Sequence, residues 1–467
     1  MSKSDDILEG TPVSAERGVA NLEAARHWCD ARRIEDIECI VPDQAGVARG
    51  KLMPTEKFFG GKPMTLPASI FTQTIMGDFA PEEDAFAEGL TDGDLIFRPD
   101  FSTLATVPWA SDPTAQIIHD AFHRDGRPFD LSPRRVLQKV VALYTEANLK
   151  PVVAPEIEFY LVKPNVDPDY PLEPPVGRSG RTERARQLYS INAVNEFEVL
   201  FDDVYEFAEA QGLEIDTLAH EEGTAQMEIN LQHGDPLELA DQVFMFKRTI
   251  REAALRHNMH ATFMAKPVAK EPGSAMHIHH SVVDLESGKN IFSEPDGSPS
   301  KAFLWYIAGM QTYLPSVLCM LAPYVNSYRR FARDTSAPTN LHWAYDNRTV
   351  GLRVPLSDAD SRRVENRLPS SDTNPYLAIA ASLACGYLGL QKKLEPEPPI
   401  EGPNRDQVHS LPRTILDAVL LMEETPEVTE IFGEVFVKTY RGIKETEFET
   451  FMNVISPWER EFLLLSV

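Results

Sequence analysis

The chain has 467 residues, which is too long for one small core and predicts at least two domains. Its 45 basic and 71 acidic residues give a formal charge of −26, which argues against nucleic acid or an anionic membrane as the main partner. The four cysteines include no C-x-x-C pair, so neither a disulfide framework nor a zinc site is suggested. Without a signal-peptide pattern or an apolar run long enough to span a bilayer, we expect a cytoplasmic protein.

The N-terminal part predicts a small unit of helix and sheet. Residues 1–18 are polar and acidic and predict a flexible tail. A helix is expected over residues 20–32 and strands over 36–43, 48–53 and 94–98, with a turn at 43–46 joining the first two strands. The run 124–128 is rich in turn formers and indicates a boundary, so we place this domain at residues 19–125.

The second part, residues 126–467, begins with a strong helix start. Ser132 suits the N-cap and Pro133 the first helical position. Strand-like and helical runs then alternate to about residue 390, and the apolar run 376–390 predicts a buried helix. Residues 395–407, rich in Pro and Glu, predict a surface loop, and 412–466 predict amphipathic helices.

Charged residues recur at two-residue spacing on the strand-like runs. The sets are Glu156 with Glu158, His277 with His279, and Arg363 with Glu365 and Arg367. Residues so spaced face the same side of a strand. Each set alone is explained by a solvated face, a surface ion-pair ladder or a structural histidine. Their convergence favours a site, because unpaired buried charges are costly and metals plus phosphate would satisfy all of them.

These residues belong to longer motifs, by which the chain resembles the glutamine synthetase superfamily. The motifs cover residues 155–159, 220–228, 273–279, 326–330, 347–353 and 362–367, and the resemblance extends from residue 43 to 459. It implies an α+β fold with an N-terminal β-grasp domain and a larger catalytic domain built on an antiparallel sheet. It also implies a homo-oligomer, usually a dodecamer of two hexameric rings, with active sites between neighbouring subunits.

The resemblance also implies roles for individual residues. Two divalent-metal sites would be formed by Glu158, Glu221 and Glu228 and by Glu156, His277 and Glu365. Substrate glutamate would be bound by Arg330, Arg367 and Gly273, and the transferring phosphate by Arg348 and Arg353. Nucleotide contacts would come from Asp216, His279, Ser281 and Arg363, and Asp94 would reach the amine site of the adjacent subunit. The implied ligands are ATP, as a substrate, and two or three Mg²⁺ or Mn²⁺ ions per site.

The implied reaction converts the side-chain carboxylate of glutamate into an acyl phosphate, which an amine then attacks. In glutamine synthetase a flap glutamate just before Ala-Pro takes a proton from ammonium; here Ser336 precedes Ala337-Pro338. A hydroxyl cannot serve as a base near pH 7, where deprotonating an alkylammonium of pKa about 10.4 costs roughly 4 to 5 kcal/mol. This departure predicts poor use of ammonia and space for a bulkier amine. Asp94 and Asp334 are candidate amine-side groups.

We therefore expect an ATP-dependent ligase that joins the γ-carboxylate of glutamate to a primary amine, such as the polyamines putrescine, spermidine or spermine. The motifs resemble the branch of the family that γ-glutamylates polyamines. One alternative is glutamine synthetase itself, using another base. Another is a ligase for a monoamine such as methylamine, ethanolamine or an aromatic amine. A remote alternative is a non-catalytic relative, which predicts decayed metal and arginine positions, whereas all of them are present.

Overall fold

The computed structural model of the protein describes residues 16–80, 92–332, 337–404 and 410–467. Two sheets and the helices that cover them form a mixed α and β structure. In this described part, no helix has both the length and the apolar character needed to cross a membrane.

The first sheet contains β1 to β6 and lies in the N-terminal part. Its strands are β1 Asp36–Pro42, β2 Ala48–Pro54, β3 Met64–Pro67, β4 Asp94–Pro99, β5 Ala105–Thr106 and β6 Thr114–Phe122. Their order is β2-β1-β6-β4-β3, with β5 also on β6. Only the β1–β6 pair is parallel among the pairings described. The three strands predicted here are confirmed to within about two residues, and the β-grasp assignment stays a prediction.

Helix Leu22–Arg32 packs beside this sheet and begins two residues later than predicted. Asn21 is its N-cap, and the Oδ1 atom of Asn21 accepts a hydrogen bond from the amide of Ala24 at 3.0 Å. The helix buries Trp28 and Cys29 on one face and ends at Arg32, and the C-cap residue Arg33 has a left-handed φ of 54°.

The second sheet contains β7 to β14 and is almost entirely antiparallel. Its strands are β7 Leu149–Val162, β8 Ile215–His220, β9 Gln226–Leu231, β10 His260–Thr262, β11 Met276–Asp284, β12 Trp343–Tyr345, β13 Leu352–Val354 and β14 Val364–Asn366. Their order is β12-β13-β14-β11-β7-β9-β8, with β10 also on β7. The β12–β13 pair is parallel. The antiparallel sheet predicted for the second part is therefore present, with one parallel edge pair.

The helices of the second part cover this sheet. Their bounds are Pro133–Glu146, Ile191–Asn195, Glu198–Ala210, Pro236–Arg256, Lys301–Tyr313, Leu318–Leu321, Val325–Tyr328, Pro375–Lys392, Ile415–Glu423, Pro426–Phe432, Glu434–Met452 and Pro457–Leu463. Ser132 is the N-cap of the first of these, as predicted, but its hydroxyl makes no capping hydrogen bond. The predicted buried helix is Pro375–Lys392. Its Gly389 lies so close to Gly309 of Lys301–Tyr313 that a Cβ on either would approach the other backbone to 2.7 Å or less.

A buried arginine joins the two parts of the chain. The guanidinium of Arg134 is hydrogen-bonded to Asp100 at 2.6 Å and Asp120 at 2.8 Å, both at the first sheet, and to Asp241 of helix Pro236–Arg256 at 2.9 Å. Buried apolar side chains of both parts also form one continuous core. The division at residue 125 stays a prediction.

Candidate active site

One face of the second sheet carries a row of charged residues across five strands. Directly opposed residues of paired strands point to the same face. The register opposes Glu228 of β9 to Glu158 of β7, Glu156 of β7 to His277 of β11, and His279 of β11 to Glu365 of β14, which in turn opposes Arg353 of β13. Two-residue spacing within β7 and β11 joins these pairs. We call these seven residues the carboxylate row.

The donor atoms of the row gather into two clusters. Ligand atoms of Glu156, His277 and Glu365 lie within 4.8 Å of one another, and so do those of Glu158, Glu228 and His277. The first cluster has the composition predicted for one metal site. The second contains two residues predicted for the other site, with His277 where Glu221 was expected. Carboxylate oxygens with one imidazole form a donor set that suits Mg²⁺ or Mn²⁺.

Glu221 lies just beyond β8, close enough to influence the second cluster. Burial and the charge of Glu221 raise the pKa of Glu158 to about 8. Burial, together with the charges of Glu156, Glu158 and Glu221, raises the pKa of Glu228 to about 9. The pKa of Glu221 is itself raised, mainly by burial. These carboxylates repel one another, so they fit a divalent cation that would offset their charge.

The carboxylates at the other end of the row are held ionised by their neighbours. Burial would raise the pKa of Glu156, but hydrogen bonds to His277 and His279 hold it below its usual range. Burial likewise opposes ionisation of Glu365, yet the charge of Arg367, followed by those of the two histidines, lowers its pKa to about 2. The surroundings therefore favour the ionised form of Glu156 and Glu365, whereas they favour the protonated form of Glu158 and Glu228.

Two of the predicted arginines are held in place by hydrogen bonds to Glu365 of the row. Arg353 donates from Nη1 to Glu365 at 2.9 Å and from Nη2 to Asp346 at 2.8 Å. Arg367 donates from Nη1 to the second oxygen of Glu365. Arg348 is exposed at the rim, where its charge favours ionisation of Glu221.

Arg330 is buried beside Gly273. Its Nη1 and Nη2 atoms donate to the carbonyl oxygens of Leu368 at 2.7 Å and Arg367 at 2.8 Å. A Cβ on Gly273 would lie 2.7 Å from Cγ of Arg330 and 2.7 Å from the carbonyl oxygen of Ala265. The absent side chain thus permits the close approach of Arg330.

A cavity of about 510 Å³ opens at the edge of the row. Its lining includes all four residues predicted to contact nucleotide, Asp216, His279, Ser281 and Arg363, together with Glu156. Within it, Nε2 of His279 lies 2.8 Å from Oε1 of Glu156. Nε of Arg363 donates to Nδ1 of His279 at 3.3 Å. The cavity has the size of a small-molecule site.

One predicted residue lies elsewhere. Asp94 begins β4 in the first sheet, and its carboxylate is 3.9 Å from Arg124 rather than at the row. Ser336 and Asp334 lie outside the described residues.

Sequence reasoning assigned no role to three residues that the fold places at the site. Asp346 holds Arg353, as described above. Gln226 donates from Nε2 to the carbonyl of Gly273 at 3.0 Å and lies 3.3 Å from Glu158. Tyr189 donates its amide to the carbonyl oxygen of His220 at 2.9 Å, directly before Glu221. Burial, followed by the charge of Glu221, raises the pKa of the Tyr189 phenol. Gln226 stands inside a recognised motif and Asp346 directly precedes one, but only the fold shows their partners.

Comparisons with known proteins agree with this geometry. The family model of the glutamine synthetase catalytic domain matches residues 130–463. The chain is 36% identical to γ-glutamylputrescine synthetase of Escherichia coli (strain K12) over 92% of this chain and 91% of the relative. It is 32% identical to glutamate–isopropylamine ligase of a Pseudomonas species over 95% and 98%. It is 30% identical to glutamine synthetase of Thermus thermophilus over 85% and 91%. A solved structure of ligand-free GmaS superposes with a TM-score of 0.79 at 25% identity, covering 94% of this chain and 99% of that one.

Proposed function

Because this chain belongs to the glutamine synthetase family, whose members are ATP-dependent carbon–nitrogen ligases, we propose that it joins the γ-carboxylate of L-glutamate to a primary amine, with polyamines as the preferred class. The observation that supports this reaction is the carboxylate row, which gathers ligand atoms for cations and hydrogen-bonded arginines on one face of a sheet. A cavity large enough for a nucleotide lies beside the row. Phosphoryl transfer needs this combination, because its catalysis consists largely of positioning and charge stabilisation.

Six residues would hold the divalent cations. Glu156, His277 and Glu365 would bind one, and Glu158, Glu221 and Glu228 another, with His277 close to both clusters. Mg²⁺ or Mn²⁺ held there would offset the negative charge of the triphosphate and of the transferring phosphoryl group. The mutual repulsion of Glu158, Glu221 and Glu228 supports this assignment.

The cavity beside the row is the proposed ATP site. Asp216, His279, Ser281 and Arg363 line it together with Glu156 of the row, which would direct the phosphates toward the donor clusters. Arg363 offers a planar cation suited to phosphate oxygens.

The proposed glutamate site lies beneath Arg330 and Arg367. Two hydrogen bonds to backbone carbonyls fix the guanidinium of Arg330 before any substrate arrives. Arg367 is held by a hydrogen bond from its Nη1 atom to the carboxylate of Glu365. Both cations therefore bind a substrate carboxylate without a further ordering cost. The carbonyl of Gly273, itself hydrogen-bonded to Gln226, faces the same region.

Arg353 and Arg348 are the proposed phosphate arginines. Arg353 is held between Glu365 and Asp346, so its charge is oriented in advance of the reaction. Arg348 is exposed and can adjust to the γ-phosphate. Once γ-glutamyl phosphate has formed, the amine attacks the acyl carbon and phosphate leaves.

The amine preference is supported by Ser336, which stands where the resemblance places the ammonium base. The relative from Escherichia coli is named for putrescine. We also propose a homo-oligomer, a dodecamer of two hexameric rings, in which Asp94 completes the amine site of the adjacent subunit. A monoamine is the second candidate, because the relative named for isopropylamine matches 95% of this chain.

The test is ATP-dependent phosphate release with glutamate, Mg²⁺ and ammonium, methylamine, isopropylamine, ethanolamine, putrescine, spermidine or spermine at pH 7 to 9. Higher kcat/KM for a polyamine than for every monoamine and ammonium supports the proposal. A preference for isopropylamine selects the second candidate. A preference for ammonium would mean that another group replaces the flap base and that the protein acts as a glutamine synthetase. Restoring the glutamate with Ser336→Glu should raise turnover with ammonium.

A further inference from the structure

A buried carboxylate outside the motifs lies directly behind the site. Glu183 belongs to the connection between β7 and helix Ile191–Asn195, and its side chain is only 7% exposed. Its Oε2 atom accepts a hydrogen bond from the amide of Ala225 at 2.7 Å and lies 3.1 Å from Nε2 of His220. Its Oε1 atom accepts from Nε2 of Gln187 at 3.1 Å. A buried carboxylate with three partners is well satisfied.

The partner histidine is held between two acceptors. His220 ends β8 and is fully buried, with Nδ1 2.7 Å from the carbonyl oxygen of Glu221. A carbonyl only accepts hydrogen bonds, so Nδ1 carries a hydrogen. Nε2 then faces the carboxylate of Glu183 at 3.1 Å. The two side chains therefore form a buried polar contact.

This pair supports two backbone positions that are strained. Tyr189, with a φ of 58°, donates its amide to the carbonyl of His220 at 2.9 Å. Ala225, with a φ of 54°, donates its amide to Glu183. Left-handed φ values cost energy in residues other than glycine and persist where surrounding contacts enforce them. The pair thus connects the loop of Tyr189 to the turn that follows Glu221.

We propose that Glu183 and His220 are positioning residues, which fix the proposed cation ligand Glu221 relative to the loop of Tyr189. The inference rests on the proposed function, because it takes Glu221 as a ligand of a divalent cation. Neither member of the pair belongs to the carboxylate row. Their effect on the reaction passes through the two residues that they hold.

The test compares three substitutions of Glu183 that separate side-chain length from charge. Glu183→Gln keeps the length: with its oxygen in the place of Oε2, it can still accept from the amide of Ala225 and face Nε2 of His220. Glu183→Asp keeps the charge but is one methylene shorter, and Glu183→Ala removes both. The matched control is Glu173, on the same connection, whose carboxylate forms a surface pair with Lys163 at 2.7 Å. Glu173→Gln, Glu173→Asp and Glu173→Ala complete the set.

The readouts are KM for amine, glutamate and ATP, and Mn²⁺ affinity measured by calorimetry on the folded protein without substrates. We expect Glu183→Ala and Glu183→Asp to weaken Mn²⁺ binding by about tenfold, with KM for ATP little changed. Glu183→Gln should stay within about threefold of the parent, a difference below about 0.7 kcal/mol. The Glu173 variants should match the parent in every readout.

Three results would overturn the inference. The first is equal behaviour of the Glu183 and Glu173 variants. The second is the reverse order, in which Glu183→Asp is tolerated and Glu183→Gln is not. The third is an equal worsening of every KM and of Mn²⁺ affinity together with lowered thermal stability. If Glu183→Ala does not fold, the Gln and Asp variants still decide between length and charge. A failure of the proposed function appears separately, as absence of amine turnover in the parent protein, whereas Mn²⁺ binding needs no amine.

Discussion

Arg353 and Glu365 oppose each other on β13 and β14, and Nη1 of the arginine donates to Oε2 of the glutamate at 2.9 Å. The other oxygen of Glu365 accepts a hydrogen bond from Arg367 and lies 3.6 Å from Nδ1 of His277. One buried carboxylate thus orients two arginines and contributes to a donor cluster. Cation binding and arginine placement are therefore linked through Glu365.

Arg353 should matter most in the transition state. We expect Arg353→Gln to lower kcat by about 10² to 10³, as loss of one charge-stabilising donor does, while KM for glutamate changes little. Steady-state kinetics with varied glutamate measure both constants. Arg127→Gln is the control, since Arg127 forms a surface pair with Asp125 at 2.8 Å. A raised KM with normal kcat would show that Arg353 serves ground-state binding instead.

Gly273 should govern glutamate affinity through Arg330. A methyl group at Gly273 would lie 2.7 Å from Cγ of Arg330 and must displace it or the loop. We expect Gly273→Ala to raise KM for glutamate by about tenfold, because the displaced cation loses its alignment with the carboxylate. Gly234→Ala is the control, where the added Cβ would meet Leu239 at an ordinary 3.8 Å. Equal effects of the two substitutions would contradict this role.

Metal-free protein should lose stability as pH rises. Burial and neighbouring charge raise the pKa of Glu158 to about 8 and of Glu228 to about 9, from an ordinary value of 4.5. Between pH 4.5 and 9 the folded state therefore binds protons that the unfolded state has released. Stability is favoured at the acidic end of this window and is lost as pH rises through the folded-state pKa values. Thermal unfolding in a chelating buffer at pH 5.5 to 9 measures this slope.

Mg²⁺ should suppress that loss, because the cation replaces the protons. Free Mg²⁺ at 100 times its Kd would stabilise the fold by about 2.7 kcal/mol, and its binding should release protons. Glu228→Gln should flatten the metal-free slope and weaken the effect of Mg²⁺, whereas the exposed Glu206→Gln should not. Calorimetry in buffers of different ionisation enthalpy counts the protons. No proton release at pH 7 would contradict the cation assignment.

Asp94 and Arg353 should act in the same site from different subunits. Asp94 lies in the first sheet, paired with Arg124 and away from the carboxylate row. We expect Asp94→Ala and Arg353→Gln proteins to be poorly active alone and to regain activity when coexpressed, because about a quarter of the sites in random mixed rings receive two intact halves. Coexpression of Arg353→Gln with Arg367→Gln is the control, since both residues donate to Glu365 of the same chain. Failure of the first pair to exceed the second would place Asp94 outside the site.

Sequence alone was sufficient wherever local geometry decides the outcome. The two-residue spacing of Glu156 with Glu158 and of His277 with His279 defines a shared face, because side-chain alternation is a property of a single strand. The helix over residues 20–32 and the helix in the apolar run 376–390 are likewise predicted from local sequence, and they correspond to Leu22–Arg32 and Pro375–Lys392. The identity of Ser336, on which the proposed amine preference rests, is also read directly from the sequence.

Tertiary structure decided which of these residues meet. The register of β7 on β11 places His277 beside both clusters, where Glu221 was expected in one of them. Asp346 holding Arg353 and Glu183 holding His220 depend on loops that fold back onto the sheet, in the second case across 37 residues of chain. Spacing along a chain specifies the face on which a side chain lies, whereas its neighbours depend on strand pairing and loop packing, which no local pattern encodes.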